Sequence, residues 1–268
     1  MKVYNKTIVV TGAGGGIGQK LVLNLLSKGS KVVAIDINEK ALAGTIDIAG
    51  DMKSNVVPFV ADITNKEKVE TLPAQIIAHT GSIDGLINNA GIMQPFKKLS
   101  QLEFSMIERV LNVNLFGTIF MTKAFLPHLL SRPEAHIVNI SSMAGFMPLP
   151  GQSIYCASKA AVKILTEVLH SELDATNVQV TVVMPGGVDT DITKNAGIVI
   201  PKDMEDAQKS YKPLSPESAA EQIINGMEKN KSRILVGSDA RIMDKLYRFR
   251  PSFAARLIYK QMKGLVEA

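Results

Sequence analysis

Thr7-Ile-Val-Val-Thr-Gly-Ala-Gly-Gly-Gly-Ile-Gly18 decides the fold of this 268-residue chain. An apolar run ends in a glycine-rich turn, and Leu21, Val22, Leu25 and Leu26 then recur at helical spacing. Strand, turn and helix in that order bring backbone N–H groups to a helix N-terminus, where an anion such as a pyrophosphate is stabilised. In this reading Gly12 allows the tight turn. Gly16 lets the backbone approach the phosphates, and Gly18 lets helix and strand pack closely. A second apolar run, Lys31-Val-Val-Ala-Ile35, ends at Asp36, near the distance of about 20 residues at which an acid meets the ribose.

The same alternation continues outward from the turn. Strands are predicted at 7–10, 31–35, 55–60, 85–88, 136–141, 178–184 and 233–236. Helices are predicted at about 17–28, 39–49, 66–79, 101–130, 152–175 and 216–229. Such a pattern specifies an α/β fold, a doubly wound parallel sheet of about seven strands with helices on both faces. Ligands bind such sheets beyond the carboxyl ends of the strands. No repeat, low-complexity tract or linker divides the chain, so residues 1–268 are read as a single Rossmann domain.

Tyr155 and Lys159 stand four residues apart in Ser153-Ile-Tyr-Cys-Ala-Ser-Lys159, on one face of a predicted helix. A cation beside a phenol favours the phenolate, so the tyrosine pKa is expected to fall from about 10. A phenol so tuned exchanges protons with an alcohol or ketone near neutral pH. A Tyr-x-x-x-Lys spacing also arises on a bland surface; its weight here comes from the serines that end a strand upstream and from the glycine turn.

Taken in order, Thr11-Gly-x-x-x-Gly-x-Gly18, Asp62, Asn88-Asn-Ala-Gly91, Asn114, Ser142, Tyr155-x-x-x-Lys159 and Pro185-Gly-Gly-Val188 resemble the short-chain dehydrogenase/reductase family over about residues 5 to 237. The resemblance implies a Ser142-Tyr155-Lys159-Asn114 tetrad acting on a carbonyl or alcohol beside a nicotinamide. Of the adjacent serines, Ser142 is the family match, and Ser141 would point to the other side of the strand end. By resemblance Asp62 meets the adenine, Asn88 and Asn89 support the sheet and border the cofactor, and Asn114 orders a water that leads to Lys159. Ile17, Ile63, Val188 and Thr190 complete the implied cofactor set, with Thr190 on the carboxamide. Gly186 and Gly187 let the chain pass close to the nicotinamide. Read from the residues alone, Asp62 is equally a helix cap and Asn114 a buried amide satisfied by backbone.

Asp36 favours NAD over NADP, because its carboxylate suits two ribose hydroxyls and repels a 2′-phosphate. Neither the glycine turn nor position 37 carries a basic residue. The substrate is expected to be a hydrophobic secondary alcohol or ketone. Ile192, Ile198, Val199, Ile200 and Met204 make the predicted substrate loop, 190–213, apolar, as do Phe146, Met147 and Leu149 beside Ser142. A non-catalytic NAD-binding sensor or scaffold on the same fold is the competing function.

Composition narrows the remaining classes. Hydrophobic residues are 46% and charged residues 21%, as in a globular domain that folds in water. One cysteine, Cys156, excludes an intrachain disulfide, and four histidines at scattered positions offer no metal set. With no signal peptide legible and no apolar stretch approaching about 20 residues, a cytoplasmic location is expected. Residues 241–268 carry seven basic groups and two acidic ones, equal to the net charge of +5 of the whole chain. Within this tail, about 239–265, Ile242, Leu246, Phe249, Phe253 and Leu257 form an apolar stripe, and Pro251 is expected to split the helix in two. A membrane surface, a cover over the pocket, a subunit contact and plain docking on the body are all compatible with it. Nucleic acid is not expected, since no recognition module accompanies the charge. Leu111, Leu115, Ile119, Phe120, Ile164, Leu165, Val168 and Leu169 put apolar residues on two long helices, and a homodimer or homotetramer is the expected assembly.

Overall fold

A computed structural model describes residues 1–197 and 213–267. Its centre is one parallel seven-stranded sheet of order β3-β2-β1-β4-β5-β6-β7. The strands are β1 Thr7–Thr11, β2 Lys31–Asp36, β3 Val56–Val60, β4 Gly85–Asn88, β5 Ala135–Ile140, β6 Val178–Pro185 and β7 Arg233–Val236. Every predicted strand is present within one residue at each end. β1, β4, β5 and β6 are buried along nearly their whole length because helices cover both faces, which is why they read as continuous apolar runs.

On one face, α1 (Gly16–Ser27), α2 (Glu39–Ile48) and α8 (Pro216–Glu228) pack Leu21, Leu25, Leu42, Ile223 and Ile224 onto Ile8, Val10, Val32 and Val183. On the other, α3 (Lys66–Thr80) and α5 (Thr118–Leu130) pack Val69, Ile76, Met121 and Phe125 onto Val9, Val33, Leu86 and Ile137. Ile8 and Val10 face one layer and Val9 the other, as the two-residue period of a strand requires.

The predicted helix at 101–130 needs correction. It is α4 (Phe104–Leu111), a π-helical stretch (Asn112–Gly117) and then α5. The wider turn brings in one extra residue, and such bulges cluster at functional sites. This continuous helix, Phe104–Leu130, has 27 residues and is apolar enough by length and composition to cross a membrane, which also corrects the sequence reading. Met121, Phe125 and Leu129 are nonetheless fully buried against the sheet layer, as in a core helix.

α6 (Ser153–Glu172) and the short α7 (Ile192–Asn195) follow β5 and β6. Residues 198–212, with Ile198, Val199, Ile200 and Met204 of the predicted substrate loop, lie outside the described residues. The chain re-enters at Leu214, whose N–H donates to Gly187 O and whose carbonyl accepts Asp189 N–H, both at 2.9 Å. The tail forms two helices, α9 (Ser238–Phe249) and α10 (Pro251–Glu267), broken at Pro251 as expected.

Candidate active site

The carboxyl ends of the strands open onto a cleft of about 1120 Å³. Gly12, Gly16, Ile17, Asp36, Asp62, Ile63, Asn89, Ser142, Tyr155, Lys159, Val188 and Thr190 all line it. Two of the predicted residues, Gly18 and Asn114, do not.

The glycine turn is built as its residues demand. Gly12 and Gly16 have φ of 66° and 53°, which a side chain would strain. A Cβ on Gly18 would sit 1.9 Å from Gly12 O, so Gly18 serves the packing of α1 on the turn. No side chain caps α1, which leaves its first N–H groups for a ligand. Asp36 braces the turn, its carboxylate accepting Gly14 N–H at 2.8 Å and Asn38 N–H at 2.9 Å. Asp62 accepts Thr64 N–H and its hydroxyl at 2.8 and 2.7 Å. It caps no helix: Asn65 caps α3 by accepting Lys68 N–H. Asn89 lines the cleft and donates to Thr11 O, whereas Asn88 is buried behind it, donating to Thr122 Oγ1 and Asn139 Oδ1 at 3.0 and 2.8 Å. The pair thus splits, Asn89 to the cleft wall and Asn88 to the buried sheet end.

Three elements meet at Tyr155. Ser142 follows β5, its Oγ accepts Ala144 N–H at 3.1 Å, and it hydrogen-bonds the Tyr155 hydroxyl. Ser141 turns the other way and donates to Lys159 O at 2.7 Å, tying α6 to the strand end. Lys159 Nζ donates to Ile140 O at 2.9 Å and lies 6.0 Å from the Tyr155 ring centroid. The sequence reading of a lowered tyrosine pKa is reversed. Burial pushes Tyr155 up to about 12, outweighing the Ser142 hydrogen bond that pulls it down. Burial likewise takes Lys159 down to about 8. Desolvation disfavours both charged forms, and at this separation the cation does not offset it.

Asn114 sits at the π-helical stretch and is fully buried. Its amide accepts Ile92 N–H at 2.8 Å and donates to Ile92 O and Ser158 Oγ at 2.9 and 3.0 Å. It thereby holds the Gly91–Ile92 segment beside Lys159: a Cβ on Gly91 would lie 3.1 Å from Lys159 Nζ and 3.3 Å from Asn114 Oδ1.

Two residues of the site escape the sequence. Gln94 is fully buried and caps α6 from 60 residues away. Its Oε1 accepts Ile154 N–H and Tyr155 N–H at 2.9 and 3.1 Å, and its Nε2 donates to Gly151 O at 2.9 Å. Asp239, at the start of α9, accepts Gly187 N–H at 2.7 Å. A Cβ on Gly186 would clash with that carboxylate, so Gly186 is glycine to admit Asp239, and it lines the cleft as well.

The order of these features along the chain matches one family. Residues 6–198 fit its sequence pattern, described as short chain dehydrogenase. The chain belongs to the short-chain dehydrogenase family. It is 38% identical over 259 residues to the oxidoreductase SadH of Mycobacterium tuberculosis, covering 94% of each. A short-chain dehydrogenase of Burkholderia phymatum, solved with NAD, superposes with a TM-score of 0.82 at 27% identity, covering 93% of this chain and 96% of that one. One from Burkholderia cenocepacia, solved with NADP, gives 0.80 at 28%, covering 96% and 99%. Short-chain dehydrogenases are oxidoreductases that use nicotinamide cofactors on small molecules. The uncapped start of α1, the glycine turn and the acid at the end of β2 fit such a dinucleotide.

Proposed function

We propose that this short-chain dehydrogenase moves a hydride between a nicotinamide, NAD in preference to NADP, and a hydrophobic secondary alcohol or ketone. The observation that carries this is the convergence of Ser142, Tyr155 and Lys159 on the wall of the cleft that also holds the glycine turn. The bound nicotinamide supplies or accepts the hydride at the substrate carbon. Tyr155 gives a proton to the carbonyl oxygen in reduction and takes it from the hydroxyl in oxidation. Ser142 holds that oxygen. Lys159 would bind the nicotinamide ribose. Asn114 orders the water beside Lys159 that carries the proton onward. Thr190 and Val188 seat the nicotinamide, and Asp62, Ile63 and Ile17 the adenine half. Asp36 supports NAD, since a 2′-phosphate would meet a carboxylate.

Of the expected apolar wall, Leu149 and Ile192 line the cleft together with Met143, whereas Phe146 and Met147 do not; the apolar lining supports an apolar substrate. Leu111, Leu115, Ile119, Phe120, Ile164, Leu165, Val168 and Leu169 are all short of burial, with Ile164 and Val168 exposed, which supports pairing of α4, α5 and α6 with a second copy. A cytoplasmic location completes the reading.

A panel of hydrophobic alcohols and ketones assayed with NAD(H) and NADP(H) tests it. Turnover of an apolar secondary alcohol or ketone with NAD(H), faster than with NADP(H), is expected. Tight NADH binding with no turnover across the panel would instead make the protein a sensor or scaffold.

A further inference from the structure

The tail does not dock by the stripe that its sequence shows. α9 rests on the body through Ala240 and Asp244, and α10 through Ala254 and Ile258. Ile242 and Phe249, seven residues apart, therefore lie on the pole opposite Ala240 and Asp244. They are 63% and 85% exposed, and Phe253 at the start of α10 is 53% exposed. Phe249 and Phe253 flank Arg250 and Pro251, so the corner between the helices presents two phenyl rings around a cation. Single exposed apolar residues are ordinary, but a contiguous aromatic corner marks an interaction surface.

The exposed charges among residues 241–263 are basic. Arg241, Lys245, Arg248, Arg250, Arg256, Lys260 and Lys263 are all exposed. Asp244 is turned inward, where it accepts Arg233 at 2.6 Å and Arg248 at 3.0 Å. Arg248 is thus paired with Asp244, and Arg241 is held by Gln222 and Leu235 O, which leaves Lys245, Arg250, Arg256 and Lys260 as the exposed cations that the outer face offers.

We infer that the outer face of α9 and α10 docks on an anionic bilayer surface. Phenyl rings entering the headgroup boundary among arginines and lysines are how interfacial helices bind, through apolar burial and attraction to acidic lipid together. The two helices, of 12 and 17 residues, span roughly 18 and 25 Å, a platform wide enough to lie on a bilayer. The inner side of α9 adjoins the site, since the helix contacts the Met143–Gly145 turn that follows Ser142 and Asp239 holds Gly187.

Flotation of the full-length protein with vesicles tests this independently of any substrate. Vesicles of phosphatidylcholine with about a third phosphatidylglycerol should carry the protein at low salt, and pure phosphatidylcholine should not. Binding should fall steeply between 0.05 and 0.5 M salt, because the charges are exposed and screened over about 10 Å at 0.1 M. The triple variant Arg250→Glu, Arg256→Glu, Lys260→Glu should lower partitioning by at least about 100-fold, given about fivefold per cation near an acidic surface. Phe249→Ser with Phe253→Ser should also release the protein, with its far-ultraviolet spectrum and cofactor affinity unchanged. No flotation with acidic vesicles at low salt would overturn the inference, as would flotation indifferent to charge reversal. So would dissociation of an oligomer by the Phe249→Ser, Phe253→Ser variant without loss of flotation, which would assign the face to a second copy.

Discussion

Replacing Gln94 by leucine keeps the side-chain volume and removes its polar atoms. In the wild type, Gln94 accepts two N–H groups of the first turn of α6, one of them from Tyr155 itself. Gln152, at the formal cap position, contributes no side-chain bond to α6, so nothing nearby takes over the cap. A buried donor left without a partner costs about 1–3 kcal/mol, and loss of a helix cap about 1 kcal/mol. Tyr155 N is buried and Ile154 is half-buried, so one full penalty and one partial penalty apply, in total about 3 kcal/mol. That corresponds to a fall in Tm of roughly 6–10 °C for a domain of this size. The function should suffer as well, since the first turn of α6 sets the height of the Tyr155 hydroxyl over the cleft. A displacement of about 1 Å costs up to about 100-fold in rate. Scanning calorimetry gives the stability, and kcat on an accepted substrate at saturating NAD(H) gives the positioning. Gln94→Glu retains both acceptor bonds but sets a buried carboxylate oxygen against Gly151 O, so it should recover only part of kcat. Gln94→Leu with a Tm within 1 °C of wild type and an unchanged kcat would refute the cap.

Other outcomes follow from the same structure. Asp36→Ala should shift preference from NAD toward NADP by about 10- to 100-fold, from charge-assisted bonds of about 1.5–3 kcal/mol, and should weaken NAD binding because Gly14 loses its brace; competitive titration with the two cofactors checks it. Burial and the Met1 ammonium take His136 down to about 3. Its unfolded value lies near 6.5, so the stability it contributes is complete above that pH and is lost as pH falls from 6.5 toward 3, by about 1.4 kcal/mol per unit. Urea unfolding between pH 7 and 4 should show this slope, and His136→Asn should flatten it. Ile164→Glu with Val168→Glu should dissociate the assembly proposed for α4–α6, read by light scattering at micromolar concentration.

The strands were legible because burial on both faces leaves unbroken β-branched runs such as Ile8-Val9-Val10, which glycines then end. The cleft residues were legible because the turn, Asp36 and Tyr155-x-x-x-Lys159 lie at fixed distances on elements of known direction. The π-helical stretch at Asn112–Gly117 was not, because it differs from an α-helix by one backbone bond per turn and leaves no periodic signature. Gln94 and Asp239 were also illegible. Each acts on backbone about 60 or 50 residues away, a pairing that only the fold creates. The tyrosine pKa failed for a different reason: the spacing reveals the neighbouring cation but not the desolvation that dominates at the buried phenol. The use of the tail stripe was not legible either: its periodicity is real, but the face that packs on the body is marked by Ala240, Asp244, Ala254 and Ile258.

Tyr155→Phe tests the central claim most directly. The substitution removes one hydroxyl and leaves the ring and its packing in place. Hydride transfer to or from any substrate that the wild type accepts should fall by about 100-fold or more, the scale of general acid–base catalysis, while NADH affinity measured by fluorescence stays within about twofold. A Tyr155→Phe enzyme that turns over like the wild type would contradict the proposed chemistry.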